Sequence, residues 1–187
     1  MKKCFFLLIL IFIVSAACRT SRQVSERTAE SIPGTGLTAS VNFMEPSTWL
    51  LGYIDPALFS RFPHSEWYTS VYDTYQPDQE IIGKMSIADK EQVLIQIVMG
   101  TWCSDSRREV PRFMKIMDLW GFNKDNITII GVDDTKLAPI GGYEDLGIER
   151  VPTFIIMENK VEKGRIIEYP ISSLEQDMLN ILTRSEK

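Results

Sequence analysis

Histidine is almost missing from this chain, and cysteine is scarce: His64 stands alone, and Cys4, Cys18 and Cys103 are the only thiols among 187 residues. The shortage is chemically restrictive. Zinc and copper sites recruit nitrogen and sulfur ligands from clusters of these residue types, and no such set can be assembled, so no metal is expected. A Cys–His pair with Cys103 would have to recruit His64 from a distant aromatic-rich stretch, and a polar residue at a helix start is its more ordinary use. No glycine-rich loop of the kind that cradles phosphates is present, and no cofactor is expected. Internal repeats and low-complexity tracts are absent. Positive charge is in the minority, with 20 Lys and Arg against 25 Asp and Glu and a formal charge of −5. Such an acidic balance argues against nucleic acid as a partner. No apolar run is long enough to cross a bilayer as a mature helix; Phe5–Val14 is half of the roughly 20 residues a span needs.

That run has a different use. Lys2 and Lys3 precede it and Ser15-Ala16-Ala17 follow it, which is the basic, apolar and small-residue order of a secretory signal peptide over residues 1–17. Its removal, with Lys2 and Lys3, takes the formal charge from −5 to −7. Cys18 comes next and resembles the cysteine of a bacterial lipobox, which becomes the acylated mature N-terminus. Ser15 departs from that pattern, where leucine is usual, and Ser15-x-Ala17 also suits ordinary signal peptidase, which would leave Cys18 unmodified. Lipidation of Cys18 is the favoured reading, because a cysteine at that one position has no other evident use. The expectation is a bacterial, periplasmic lipoprotein of the cell envelope, held to the inner or outer membrane by acyl chains. Residues 18–40, rich in Ser, Thr, Gly and charge, read as a flexible tether reaching on the order of 70 Å when extended. Cys103 is then left without an intramolecular partner in an oxidising compartment.

Residues 41–90 read as an aromatic-rich helical extension. Nine of the sixteen aromatic residues outside the leader fall between Phe43 and Tyr75. Asp55-Pro56 and Pro77-Asp78 are helix-start signals, and Trp67, Val71, Tyr72 and Tyr75 recur at helical spacing. A binding groove here is conceivable, but an aromatic stripe is more often core. From residue 91 the pattern changes to buried strands and amphipathic helices. Val93–Met99 is nearly all apolar, as in a strand covered on both faces. A helix from about Ser106 to Trp120 buries Val110, Phe113, Met114 and Met117 and turns Arg107, Arg108, Arg112 and Lys115 to solvent, with Pro111 inside it. Ile127–Val132 is a second strand, joined to the first by a parallel crossover. Asp133-Asp134 reads as a turn rather than a cation site. Thr153–Met157 and Gly164–Tyr169 form a hairpin around Glu158-Asn159-Lys160, and Ser172-x-x-Glu175 is a capping-box start for a final helix carrying Leu174, Met178 and Leu182. Asn126-Ile127-Thr128 is a glycosylation signal only in a eukaryotic secretory context, which the lipobox contradicts.

The order strand–helix–strand, then strand–strand–helix, with Trp102-Cys103-Ser104-Asp105-Ser106 opening the first helix and Val151-Pro152-Thr153 before the third strand, resembles the thioredoxin family over about residues 90–185. Trp102-Cys103 matches the family's Trp-Cys, Pro111 its helix proline, Pro152 the proline after a cis peptide bond that faces the reactive cysteine, and Gly164 the glycine early in the last strand. Glu109 and Pro111 resemble the Glu-x-Pro of membrane-tethered oxidoreductases of the TlpA/ResA type. The longer run from Gly100 to Phe113 is similar to thioredoxin-like envelope lipoproteins of Bacteroidetes. The resemblance implies an α/β thioredoxin-like fold over residues 91–187, βαβ plus ββα around a central mixed sheet flanked by helices, behind the N-terminal helical extension. Two departures matter: Ser106 stands where the resolving cysteine would be, and Ile97 where thioredoxin carries a buried acid.

A cysteine at a helix start lies at the positive end of the backbone dipole, among unpaired N–H groups that favour a thiolate. The candidate catalytic residues are therefore Cys103, Ser106 and Glu109, with Trp102, Val151 and Pro152 binding substrate and Cys18 carrying the lipid. Ser106 is read as a hydrogen-bond donor to the thiolate or as a helix cap, and Glu109 as a proton shuttle or a plain surface carboxylate. Asp105 opposes a thiolate, whereas Arg107 and Arg108 favour one. The expected activity is monothiol thiol–disulfide chemistry with a protein or small-molecule disulfide or thiol partner, dependent on an external thiol. The competing reading is a redox-inert module that binds extended polypeptide beside Val151-Pro152.

Overall fold

A computed structural model describes residues 41–184; the expected leader, the expected lipidation of Cys18 and the expected tether lie outside the described residues. Five strands, β1 (Gly52–Tyr53), β2 (Val93–Met99), β3 (Ile127–Gly131), β4 (Thr153–Glu158) and β5 (Val161–Ile167), form one sheet in the order β1-β3-β2-β4-β5. β2 and β3 run parallel and the other neighbours antiparallel. Four helices, α1 (His64–Thr74), α2 (Gln79–Lys84), α3 (Ser104–Trp120) and α4 (Leu174–Leu182), complete the α/β fold, whose order β2-α3-β3 and then β4-β5-α4 is the one expected from the sequence. The extension is helical as expected, except that it also supplies the short strand β1.

The apolar run of β2 is covered on both sides, as its lack of alternation requires. Val93, Ile95, Ile97 and Met99 face a core built from Val110, Phe113, Ile116 and Met117 of α3 and Leu174, Met178 and Ile181 of α4. Val98, with Ile130 and Val132, faces a smaller cluster holding Tyr143 and Val151. Ile54, Phe59, Ile82 and Met85 from the extension belong to the larger core.

Several details differ from the sequence expectation, each for a local reason. α3 begins at Ser104, because Cys103 itself occupies the N-cap, and it ends on Gly121 in the left-handed region (φ 65). Arg107, Arg108, Arg112 and Lys115 do not stand free in solvent; all four are half-buried. The extension lies along that face of α3, so Arg112 sits 5.2 Å from the Tyr75 ring and Lys115 5.6 Å from the Tyr72 ring. Long basic side chains can cover aromatic surface in this way while their charge stays near water. Asn159 and Lys160 both take positive φ, making a two-residue turn, so β5 starts at Val161 and ends at Ile167. Gly164 in β5 leaves room for α4: a Cβ there would lie 3.1 Å from the Ile181 side chain. The cap of α4 is Ser173, whose hydroxyl accepts from the Gln176 N–H at 3.2 Å. Glu175 is instead buried and accepts hydrogen bonds from the Tyr75 hydroxyl (2.8 Å) and the Asp78 N–H (3.0 Å), tying α4 to the segment before α2.

Candidate functional site

The chain leaves β2 at Met99 and turns into α3 within a few residues. Gly100 makes the turn possible, because a Cβ there would come within 2.4 Å of the Trp102 ring. Cys103 N–H donates to the Gly100 carbonyl at 3.0 Å, and the Cys103 carbonyl accepts the first helical hydrogen bond, from Arg107 N–H at 3.1 Å. The buried Thr101 accepts the Leu50 N–H through Oγ1 at 3.2 Å. The Trp102 indole N–H donates to the Val132 carbonyl at 3.0 Å, and its ring lies 6.4 Å from that of Trp49. Trp102 is thereby anchored on one edge and only half-buried.

Cys103 is a free thiol, half-buried, at the N-cap of α3. Its Sγ donates to the Val151 carbonyl at 3.4 Å. The Val151–Pro152 peptide bond is cis. Trp102-Cys103 and Val151-Pro152, far apart in sequence, are thus brought together. On β2, Ile97 is fully buried and paired with Phe154, so the place of the family's buried acid is wholly apolar.

Ser106 and Glu109 are more deeply placed than surface reasoning implies. Because α3 starts at Ser104, Ser106 lies inside the first turn; it does not cap the helix, and its fully buried hydroxyl accepts the Gly100 N–H at 3.3 Å. Glu109 is 3% exposed rather than a plain surface carboxylate. It accepts from Arg108 Nε at 2.6 Å and from Arg112 Nη1 at 3.4 Å. Arg108 also bonds Asp105 at 2.8 Å, which answers the negative charge beside the cysteine. Arg107 folds back over the turn, and burial lowers its pKa, while a negative charge on Cys103 would act in the opposite sense.

His64 is the first residue of α1 and packs against Phe43 and Trp67 at 5.9 and 6.0 Å. Among the described residues no hydrogen bond joins it to Cys103, and its Nδ1 has no partner. Asp133 is a turn residue: its carboxylate accepts the N–H groups of Leu137 and Thr135, each at 2.9 Å, and the first of these does most to hold its pKa below the usual carboxylate value. Sequence reasoning missed Phe43, Trp49 and Thr101 as neighbours of the site. Their contacts are long-range, and no local pattern announces them.

No family model matches the chain, and no curated protein matches it. Among solved structures, a protein of unknown function from Pseudomonas aeruginosa is similar at 14% identity and a TM-score of 0.41, covering 60% of this chain and 65% of that one. Thioredoxin O2 from Arabidopsis thaliana in the oxidized state is similar at 19% identity and a TM-score of 0.36, covering 56% and 88%. An HIV epitope scaffold is similar at 14% identity and a TM-score of 0.38, covering 63% and 71%. The chain therefore spans under two thirds of the first of these structures.

Proposed function

We propose that this chain is an envelope-anchored, thioredoxin-like protein that performs monothiol thiol–disulfide chemistry through Cys103. One observation carries the reading: a half-buried cysteine at a helix N-cap, its sulfur bonded to the carbonyl of the residue before a cis-proline. Cys103 first loses its thiol proton to water, which ends the S–H hydrogen bond to the Val151 carbonyl, and the resulting thiolate attacks one sulfur of a disulfide. The old S–S bond breaks as a new one forms to Sγ, and the departing half leaves as a thiolate that takes a proton from water. Cys103 is oxidised to a mixed disulfide and the departing half is reduced. Ser106 offers no thiol to release the adduct, so an external thiol must attack it. Intramolecular release is favoured by effective molarities of about 10⁵ M or more, and its loss makes turnover depend on that second reactant. Glu109, already paired with Arg108 and Arg112, is better suited to holding those arginines than to carrying protons alone.

The test uses the full chain with a small aromatic disulfide and intact-mass detection. One adduct at Cys103 is expected in the folded protein, stable until an external thiol is added and absent from Cys103→Ser. No adduct before unfolding would leave the redox-inert polypeptide-binding module as the reading. The anchor is part of the same proposal: acylated Cys18 holds the domain to a bacterial membrane, with a disulfide or thiol carrier in the periplasm as its partner. Partition into a detergent phase, lost in Cys18→Ala, checks it, and equal partition of the two proteins would remove it.

A further inference from the structure

Arg107 does not point outward from α3. Its Nη1 donates to two carbonyl oxygens, of Thr101 at 2.8 Å and Trp102 at 2.7 Å, which belong to the two residues before Cys103. Its guanidinium carbon lies 4.8 Å from the centre of the Phe43 ring. Phe43 is fixed in turn, since its carbonyl accepts the Trp49 indole N–H at 2.9 Å and its ring packs on His64. Trp49 faces Trp102, and the Leu50 N–H bonds Thr101 Oγ1. The segment Phe43–Leu50 therefore touches Thr101, Trp102 and Arg107, the residues that frame the cysteine.

Charge distribution sets Arg107 apart from its neighbour. Asp105 and Glu109 are both bonded to Arg108. Among the described residues Arg107 has only carbonyl partners and no carboxylate, so its positive charge is not paired there beside the cysteine turn. A guanidinium across two carbonyls makes charge-assisted hydrogen bonds that fix the turn. A half-buried cation is also screened less by water than an exposed one.

We propose that Arg107, seated by Phe43, is the positioning residue of the cysteine site: it fixes the Thr101–Trp102 turn and keeps a cation at Cys103 that selects negatively charged disulfides. This rests on the disulfide reactivity of Cys103 and names the substrate class for it. Attack by a thiolate on an anionic disulfide brings like charges together, and a neighbouring cation offsets that repulsion. A cationic disulfide gains nothing from it.

The experiment measures second-order rates of mixed-disulfide formation by the full chain with dianionic dithiobis(nitrobenzoate) and with dicationic cystamine, at low and high salt. Arg107→Gln is expected to slow the dianion about fivefold or more at low salt, the size of one partly screened charge interaction, and to leave the dication unchanged or faster. Arg107→Lys keeps most of the charge preference, and Phe43→Ala shifts the two rates in the same sense as Arg107→Gln but less. High salt shrinks the difference between wild type and Arg107→Gln. A purely structural role would slow both disulfides alike, and that result overturns the proposal, as does an Arg107→Gln variant with wild-type rates. If Arg107→Gln does not fold, an unchanged rate ratio in Phe43→Ala overturns it. A wild-type chain inert to both reagents marks the failure of the thiol reading itself and is distinct from these outcomes.

Discussion

His64 is 5% exposed and among the described residues its Nδ1 has no hydrogen-bond partner, so a proton on it would be buried against Phe43 and Trp67. Burial accordingly lowers its pKa from the ordinary 6.5. The unfolded chain takes up this proton near pH 6.5 and the folded chain only at lower pH. Within that window the unfolded state binds more protons, so stability rises with pH; the contribution is complete above 6.5 and falls as the pH drops toward the folded value. Urea midpoints of wild type should decline between pH 7.5 and pH 5 more steeply than those of His64→Gln. Carboxylates with lowered pKa, such as Asp133 and Glu162, contribute to both proteins alike and cancel in the comparison. Parallel declines would mean that His64 is not held neutral. The residue shows how a scarce side chain is used here: as a buried part of the platform under Phe43 rather than as a partner for the thiol.

At the scale of elements, the two-residue strand β1 matters more than its length suggests, since it fixes Phe43 to Leu50 against the site. Its approach to β3 requires glycine at position 131: a Cβ there would lie 2.0 Å from the Leu50 carbonyl oxygen and 2.8 Å from Ile54 Cδ1. The backbone oxygen cannot step aside as a flexible side chain would. Gly131→Ala is therefore expected to cost about 1–3 kcal/mol, the usual range for overpacking, and to lift the preceding segment from β3. A lower urea midpoint, with faster hydrogen exchange at Leu50 and Ile54, checks this; unchanged exchange at both would mean that β1 does not depend on close approach. No sequence pattern discloses β1, because two residues carry no period. Longer elements were legible: β2 and β3 as continuous apolar runs, and α3 from its 3.6-residue spacing. What was not legible depended on distant partners. The basic stripe of α3 reads as solvent-facing until Tyr72 and Tyr75 are laid against it, and Glu175 reads as half of a capping box until Tyr75 and Asp78 arrive to bond it. Glu109 likewise passes for a surface charge while Arg108 and Arg112 are taken to point outward.

For the whole molecule, the question is whether residues 91–187 stand without residues 41–90. The shared core says they do not. Phe59 and Met85 are 1% and 0% exposed, and with Ile54 and Ile82 they belong to the same cluster as β2, α3 and α4. Polar ties cross the same boundary: Tyr72 bonds Asp118 at 2.6 Å, Lys115 donates to the Tyr75 carbonyl at 2.7 Å, and the buried Glu175 takes both its donors from Tyr75 and Asp78. Each large apolar side chain taken out of a packed core costs about 2–5 kcal/mol in lost burial and the cavity it leaves. Four such losses, with a buried carboxylate stripped of its donors, are comparable to the roughly 5–15 kcal/mol that separates a folded domain from its unfolded chain. A fragment of residues 91–187 is expected to lack a cooperative urea transition, whereas the full chain should show coincident transitions by tryptophan fluorescence and far-ultraviolet circular dichroism. Trp49 and Trp67 lie in the extension and Trp102 and Trp120 outside it, so the fluorescence samples both parts at once. A fragment that unfolds sharply near the midpoint of the full chain would make the extension an appendage, and the contacts of Phe43 and Trp49 at the cysteine turn would then have to be explained without a common core.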